Sequence, residues 1–175
     1  MKNVFWLRKG LLAGRTGPNL NAWNVEDFSR AGFSSILSVN NGEMVNESLI
    51  KMAGLDYANI PMSANAPVSP GDQELCVQNL PLAIEFIARN LSKGPLLIHC
   101  RSGKDRTGMV LAASLIALEG IGAKQAMDEV FKVRPIAFSA EGWLEFTQRV
   151  LTEFEAHQPE ICGINWSSKV QKSVS

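Results

Sequence analysis

The chain has 175 residues, of which 46% are hydrophobic and 19% are charged, a composition typical of one globular domain with a sizeable core. Its 17 Lys and Arg residues balance 17 Asp and Glu residues, so no excess charge favours nucleic acid as a partner. The three cysteines have no Cys-x-x-Cys spacing, which disfavours both a disulfide framework and a zinc site.

The first third of the chain predicts short strands alternating with short helices. Apolar segments predict four strands, at residues 5–7, 11–13, 35–39 and 57–60. Residues 14–21 are predicted to form a loop. Asn24 is placed as the N-cap of a short helix, with Trp23 packing onto Phe28. A second short helix is predicted over residues 46–53.

The rest of the chain predicts longer helices around one further strand. Residues 57–71 carry no charged side chain and three prolines, which indicates a long loop of the kind that is often functional. Asp72 is predicted to cap a long helix. The apolar face of that helix is assigned to Leu75, Leu82, Ala83, Phe86 and Ile87. A strand over 96–98 and three more helices follow, the last two marked by Ala126, Met127, Val130 and Phe131 and by Trp143, Phe146, Val150 and Phe154.

The order of these elements predicts the fold class. Strands that alternate with helices favour an α/β fold, with a mostly parallel central sheet of four to five strands flanked by helices. Such sheets place ligands at the carboxyl ends of their strands. One domain is predicted over residues 1–156, and residues 157–175 are predicted to form a loosely ordered tail.

The most informative segment is the decapeptide 99–108, His-Cys-Arg-Ser-Gly-Lys-Asp-Arg-Thr-Gly, which lies between the last strand and an apolar helix. A strand that turns into a helix through a short loop gathers backbone N–H groups and the helix dipole around an anion. Cys100 supplies a nucleophile that reacts as the thiolate. Arg106 supplies paired donors that match two phosphoryl oxygens. The segment therefore predicts a phosphate cradle with a built-in nucleophile.

The other cradle residues are assigned by their chemistry. The substrate-binding set is Arg101, Ser102, Gly103, Lys104, Asp105 and Arg106. Gly103 allows a positive φ and a close approach of the backbone, and Lys104 is either a cation for a second phosphate or a solvated lysine. Thr107 is expected to donate its hydroxyl to the sulfur of Cys100 and favour the thiolate. His99 either supports the loop through hydrogen bonds to backbone carbonyls or is a core histidine at a strand end.

The pattern His-Cys-x-x-Gly-x-x-Arg-Thr-Gly resembles the signature of the Cys-dependent protein tyrosine and dual-specificity phosphatases. Segments 11–15, 57–61 and 133–135 are similar to the small atypical dual-specificity type. The Lys-Asp-Arg-Thr-Gly variant at 104–108 resembles a subset that includes bacterial tyrosine and lipid phosphatases and the phosphoinositide phosphatases. The resemblance implies hydrolysis of phosphoric monoesters through a phosphocysteine intermediate, with no metal or other cofactor.

The general acid is the point at which this sequence departs from the family. The family takes an Asp from the loop after the Ile-Pro strand, whereas residues 62–66 read Met-Ser-Ala-Asn-Ala. Asp105 is the first candidate, since some relatives with an Asp inside the cradle use it as the acid; otherwise it is a carboxylate stabilised by the helix dipole. Asp72 is the alternative acid, or else a plain helix cap. Asp56 lies before its strand and is too remote.

The leading interpretation is a dual-specificity or tyrosine phosphatase that acts on a phosphorylated protein or a small phosphoester. Two alternatives stay open: a phosphoinositide or small-molecule phosphatase, and a pseudophosphatase module that binds a phosphorylated partner without turnover. A catalytic thiol requires a reducing compartment, and no apolar run approaches the ~20 residues of a membrane span. We therefore expect a cytoplasmic monomer with no integral membrane segment.

Overall fold

The computed structural model describes residues 3–40 and 42–157. Its strands are β1 Val4–Arg8, β2 Leu12–Thr16, β3 Ser35–Ser38, β4 Asp56–Asn59 and β5 Leu96–Cys100. Its α-helices are α1 Val25–Arg30, α2 Glu47–Met52, α3 Asp72–Asn90, α4 Asp105–Glu119, α5 Ala123–Val133 and α6 Trp143–Ala156, with a 3₁₀ turn at Gly42–Met44. Apart from His157, the predicted tail lies outside the described residues.

The five strands form one sheet in the order β1-β2-β5-β3-β4. The β1–β2 pair is antiparallel, and the other three pairs are parallel. The predicted mostly parallel α/β sheet is confirmed. Strand β5 is central and buried along its whole length, so its carboxyl end delivers Cys100 to the edge of the sheet where parallel sheets bind ligands.

Strand β2 is longer than the apolar pattern predicts. Residues 14–16, predicted as loop, extend the strand to Thr16 because they pair with the last three residues of β5. Arg15 lies beside His99 and Thr16 lies beside Cys100 in this register. The extra length therefore comes from a partner more than 80 residues away, and it supports the end of β5 at the candidate site.

Helices cover both faces of the sheet. Helices α1 and α2 cover one face around Phe28, Ile36, Ile50 and Leu97. Asn24 caps α1 as predicted, accepting a hydrogen bond from the Glu26 N–H at 3.1 Å, and Trp23 contacts Phe28 edge-on at 5.5 Å between ring centroids. The other face carries α3 to α6, with α4 in their centre and buried from its first residue to Ile116. This packing fixes the N-terminus of α4 beside the end of β5.

The buried face of α3 differs from the predicted one. Leu75 and Leu82 are 39% and 53% exposed, so assigning them to the core was wrong. The buried stripe runs through Cys76, Leu80, Ala83, Ile84 and Ile87. These positions repeat at intervals of three and four residues, which places them on one helix face. Leucines one residue away from that stripe face solvent.

Candidate active site

The cradle is a strand end, a four-residue loop and a helix start. Cys100 ends β5, Asp105 begins α4, and residues 101–104 connect them. Gly103 has a φ of 63°, and a Cβ there would lie 2.6 Å from the backbone of Arg15. Only glycine fits this approach without strain. Strand β2 therefore lies directly against the loop at Gly103, and Thr16 Oγ1 donates to the carbonyl of Ser102 at 3.2 Å.

A cavity of about 600 Å³ opens at this loop. It is lined by Leu20, Asn40, Glu43, Ala64, Ala66, Arg101, Ser102, Lys104, Asp105, Arg106 and Ala140. Five of the predicted site residues therefore share one cavity wall. Cys100 is 1% exposed and, like His99, Thr107 and Asp72, is not among the lining residues. The thiol lies at the start of the loop whose later residues form the cavity wall.

Arg106 is held by the segment that follows β4. Its Nε donates to the carbonyl of Ser63 at 2.7 Å, and its Nη2 donates to the carbonyl of Asn65 at 3.3 Å. The ring of Trp143 lies 4.4 Å from the guanidinium carbon, a distance suited to a cation–π interaction. These three contacts orient the guanidinium, and its Nη1 lies 4.0 Å from Asp105 Oδ2.

Arg134 supports the cradle loop from outside. Its Nε donates to the carbonyl of Gly103 at 3.1 Å, and its Nη2 donates to the carbonyl of Ser102 at 3.0 Å. The guanidinium also lies 5.0 Å from the ring of Phe5. In the sequence Arg134 stands only within the 133–135 segment that resembles the family, and its role as a loop support was not predicted. Nothing local in the sequence pairs residue 134 with residues 102 and 103.

Thr107 does not make the expected hydrogen bond to the sulfur of Cys100. Its side chain is fully buried in the first turn of α4, and within the described part of the chain Oγ1 has no hydrogen-bond partner. A buried hydroxyl without a partner costs roughly 1–3 kcal/mol.

His99 is the centre of a buried hydrogen-bond chain. Tyr57 donates its hydroxyl to Ser38 Oγ at 2.9 Å, Ser38 Oγ lies 2.6 Å from His99 Nε2, and His99 Nδ1 lies 3.3 Å from the carbonyl of Cys100. Burial lowers the pKa of His99 to about 4, so the ring is neutral at pH 7. The carbonyl can only accept, which assigns the proton to Nδ1 and makes Nε2 the acceptor from Ser38.

The buried His99 predicts a loss of stability in acid. An unfolded histidine has a pKa of about 6.5, whereas that of His99 in the fold is about 4. As the pH falls, the histidine of the unfolded state binds its proton first. The contribution of His99 to the free energy of unfolding is therefore complete above about pH 6.5 and decreases toward pH 4. We expect the free energy of unfolding, measured by urea titration, to fall by about 3 kcal/mol from this group.

The variant His99→Gln should lack this part of the pH dependence. The chain has two histidines, and His157, which is exposed at the end of α6, provides the matched control His157→Gln. A His99→Gln protein whose stability falls with acid as steeply as the unchanged protein would contradict the assignment.

Asp105 lies on the cavity wall with its carboxylate almost fully buried. Its side chain is 2% exposed, and its Oδ1 accepts from the backbone N–H of Ala140 at 3.2 Å. Lys104 Nζ donates to Ser139 Oγ at 3.0 Å, so two adjacent cradle residues hold the loop before α6. One carboxylate oxygen is thus fixed to that loop while the other faces Arg106.

Asp72 is not the helix cap that the sequence predicts. Gly71 is the N-cap of α3, with a φ of 87° and no side-chain capping bond, and Asp72 is the first helical residue. Its carboxylate instead turns to the preceding loop, where it accepts from Asn65 Nδ2 and from the N–H of Ser69. Asp56, in contrast, lies at the amino end of β4, whereas Cys100 lies at the carboxyl end of the parallel strand β5. The Asp56 carboxylate pairs with Lys93.

In residues 3–40 and 42–157, no three His, Cys, Asp or Glu side chains are grouped as a metal site would require. Over the same residues, no helix combines the length and the apolar character needed to cross a membrane.

Comparison with known proteins identifies relatives of this fold. A family model described as "PTP-SAK: Swiss Army Knife protein, DSP-PTPase phosphatase domain" matches residues 1–151. The crystal structure of Tk-PTP in the active form is similar with a TM-score of 0.71 and 20% identity, over 90% of this chain and 99% of that chain. The sequence matches no curated protein.

Two further solved structures share the fold at lower identity. Human DUSP28 has a TM-score of 0.63 and 18% identity, over 86% of this chain and 94% of that chain. PTPMT1 in complex with PI(5)P has a TM-score of 0.64 and 13% identity, over 94% of this chain and 95% of that chain. At these identities the likeness is one of fold.

Proposed function

Because this chain belongs to the PTP-SAK family of DSP-PTPase phosphatase domains and is a Cys-based phosphatase, we propose that it hydrolyses phosphoric monoesters through a phosphocysteine formed on Cys100. One observation carries the proposal. A four-residue loop at one cavity connects the strand that ends at the Cys100 thiol to the helix whose first turn holds the Arg106 guanidinium, and the carbonyl of Ser63 holds that guanidinium in place. A thiol and a guanidinium in that arrangement can attack and hold the same phosphoryl group.

In the first step the Cys100 thiolate attacks phosphorus in line with the ester oxygen. The new P–S bond forms as the P–O bond breaks, and the leaving oxygen takes a proton from Asp105. Arg106 and the loop N–H groups stabilise the equatorial oxygens as their charge redistributes. The two hydrogen bonds from Arg106 to the loop carbonyls lower the reorganisation required at that moment, because they orient the guanidinium.

In the second step water hydrolyses the phosphocysteine. Asp105, now ionised, accepts a proton from water as its oxygen attacks phosphorus. The P–S bond breaks, and the cradle returns to the thiolate with inorganic phosphate released. The position of Asp105 supports its role as the acid and base, because it lines the cavity beside Arg106, whereas Asp72 is not among the lining residues. Asp72 remains the alternative acid that the leaving-group experiments below distinguish.

The proposed substrate is a phosphorylated protein, dephosphorylated at tyrosine or at serine and threonine. A second candidate is a phosphoinositide or another phosphoester with more than one anionic group. The observation that favours it is a pair of additional cationic side chains, Arg101 and Lys104, on the same cavity wall as Arg106. The structural neighbour PTPMT1, solved in complex with PI(5)P, adds support for this second class.

A phosphate-release panel with EDTA present tests the function. The panel contains phosphotyrosine, phosphoserine and phosphothreonine peptides, phosphoinositides, nucleotides and sugar phosphates. We expect Cys100-dependent release, with the largest kcat/KM for a phosphopeptide. A larger kcat/KM for phosphoinositides would select the second candidate. Phosphate binding without release from any compound would replace both with a phosphate-binding module.

The proposed setting is a reducing cytoplasm. The thiolate mechanism requires reduced cysteine, and both cysteines in the described residues, Cys76 and Cys100, are free. The chain is proposed to act as a monomer, since the thiol, the guanidinium and the loop between them lie within residues 100–106 of the same polypeptide. Light scattering on the purified protein, with and without a reductant, tests the oligomeric state.

A further inference from the structure

The loop before α3 contains a connected set of contacts that ends at Arg106. We propose that Asp72 is a positioning residue which, through Asn65, holds Arg106 in the orientation that binds a phosphoryl group. The inference rests on the proposed function because it takes Arg106 as the phosphate-binding group. We call Asp72, Asn65, Ser63 and Trp143 the arginine brace.

Arg106 is held by backbone atoms of this loop. Both hydrogen bonds that Arg106 donates to this loop reach backbone carbonyls, those of Ser63 and Asn65. A carbonyl position depends on the conformation of the loop and not on the identity of the side chain. The orientation of the guanidinium is therefore only as well defined as the conformation of residues 63–65.

Asp72 and Trp143 hold that loop from two sides. Asn65 Nδ2 lies 3.0 and 3.1 Å from the two carboxylate oxygens of Asp72, and the N–H of Ser69 donates to the same carboxylate. The carbonyl of Asn65 also accepts from Trp143 Nε1 at 2.9 Å. One carboxylate at the start of α3 thus holds two points of the loop, and α6 holds it from the other side.

The charge of Asp72 suits this holding role. Its side chain is buried, and although burial raises its pKa, hydrogen bonds from Ser69, Asn65 and Ser63 and the charge of Arg106 outweigh this and hold the pKa below its usual range. The group is ionised at neutral pH, which suits a fixed acceptor and not a proton donor. It is also absent from the cavity wall that carries Asp105.

Loss of the carboxylate should therefore loosen the loop and let Arg106 rotate. Displacement of a positioned catalytic group by about 1 Å can cost on the order of 10²-fold in rate. The loss acts on phosphate binding in the ground state and the transition state, so it should be independent of the leaving group. A general acid shows the opposite dependence, because poor leaving groups need it most.

The test measures oxyanion binding and turnover in the variants Asp72→Asn and Asn65→Ala. Tungstate affinity is measured by calorimetry, and kcat/KM is measured for aryl and alkyl phosphates of different leaving-group pKa. We expect tungstate to bind about tenfold more weakly and kcat/KM to fall about 10- to 100-fold, equally for all leaving groups. Asp56→Asn, the same substitution at the exposed residue paired with Lys93, should change neither value.

Unchanged tungstate affinity in Asp72→Asn would overturn the inference. A loss that grows with the leaving-group pKa, at constant tungstate affinity, would make Asp72 the acid instead. Should Asp72→Asn fail to fold, Asn65→Ala removes the same side-chain link from the other end, and it must weaken tungstate binding for the inference to hold. An unaltered protein that binds tungstate but releases no phosphate from the panel would refute the proposed function alone.

Discussion

Replacing Cys100 by serine is expected to reduce phosphate release by about 10⁴-fold or more, the scale seen when a covalent nucleophile is removed. The serine hydroxyl is protonated at neutral pH and forms no thiolate, while the loop N–H groups and Arg106 are unchanged. The variant should therefore keep its fold and still bind phosphate or tungstate. Circular dichroism, calorimetry with tungstate and a phosphate-release assay measure these three properties.

The other cysteine in the described residues is the matched control for this prediction. Cys76 lies buried in α3, where burial raises the pKa of its thiol to about 11. Its sulfur accepts from the N–H of Ser63 at 3.4 Å, an interaction that a serine hydroxyl can also make. Cys76→Ser should retain turnover. Full activity in Cys100→Ser would refute the phosphocysteine mechanism.

Replacing Asp105 by asparagine is expected to reduce turnover of a poor leaving group by about 10²- to 10⁴-fold, the usual contribution of general acid catalysis. An alkyl phosphate such as a phosphoserine peptide needs the proton, whereas a nitrophenolate leaves without it. The loss on 4-nitrophenyl phosphate should therefore be much smaller. The basic limb of the pH–rate profile for the alkyl substrate should flatten, while the acidic limb that the thiolate requires should persist.

Comparison of two aspartates separates catalysis from positioning. Asp105→Asn should act on the leaving-group dependence and spare tungstate binding, because tungstate has no leaving group that needs a proton. Asp72→Asn should lower the rates on both substrates alike. The reverse pattern would show that Asp72, at the start of α3, delivers the acid. Equal rates for Asp105→Asn and the unchanged protein on alkyl phosphates would rule out Asp105 as the acid.

Local pattern in the sequence was enough to predict the elements that form the cradle. A strand, a four-residue loop and a helix follow one another within residues 96–119, so their order can be predicted from neighbours in the chain. The alternation of strands and helices likewise indicated a mostly parallel sheet. Cys100 and Arg106 could be proposed as site residues because thiol and guanidinium chemistry at that spacing suits few ligands other than phosphate.

Tertiary structure alone decided what surrounds the cradle. Arg106 meets carbonyls 41 and 43 residues earlier, Trp143 reaches Asn65 across 78 residues, and Arg134 supports a loop 31 and 32 residues before it. Backbone carbonyls are common to all residue types, so no side-chain pattern marks the ones that will accept. Asp72 differs, because its partners are near in the chain: its place at a helix start indicated a cap, but its carboxylate accepts from the Asn65 side chain and the Ser69 N–H, seven and three residues before it.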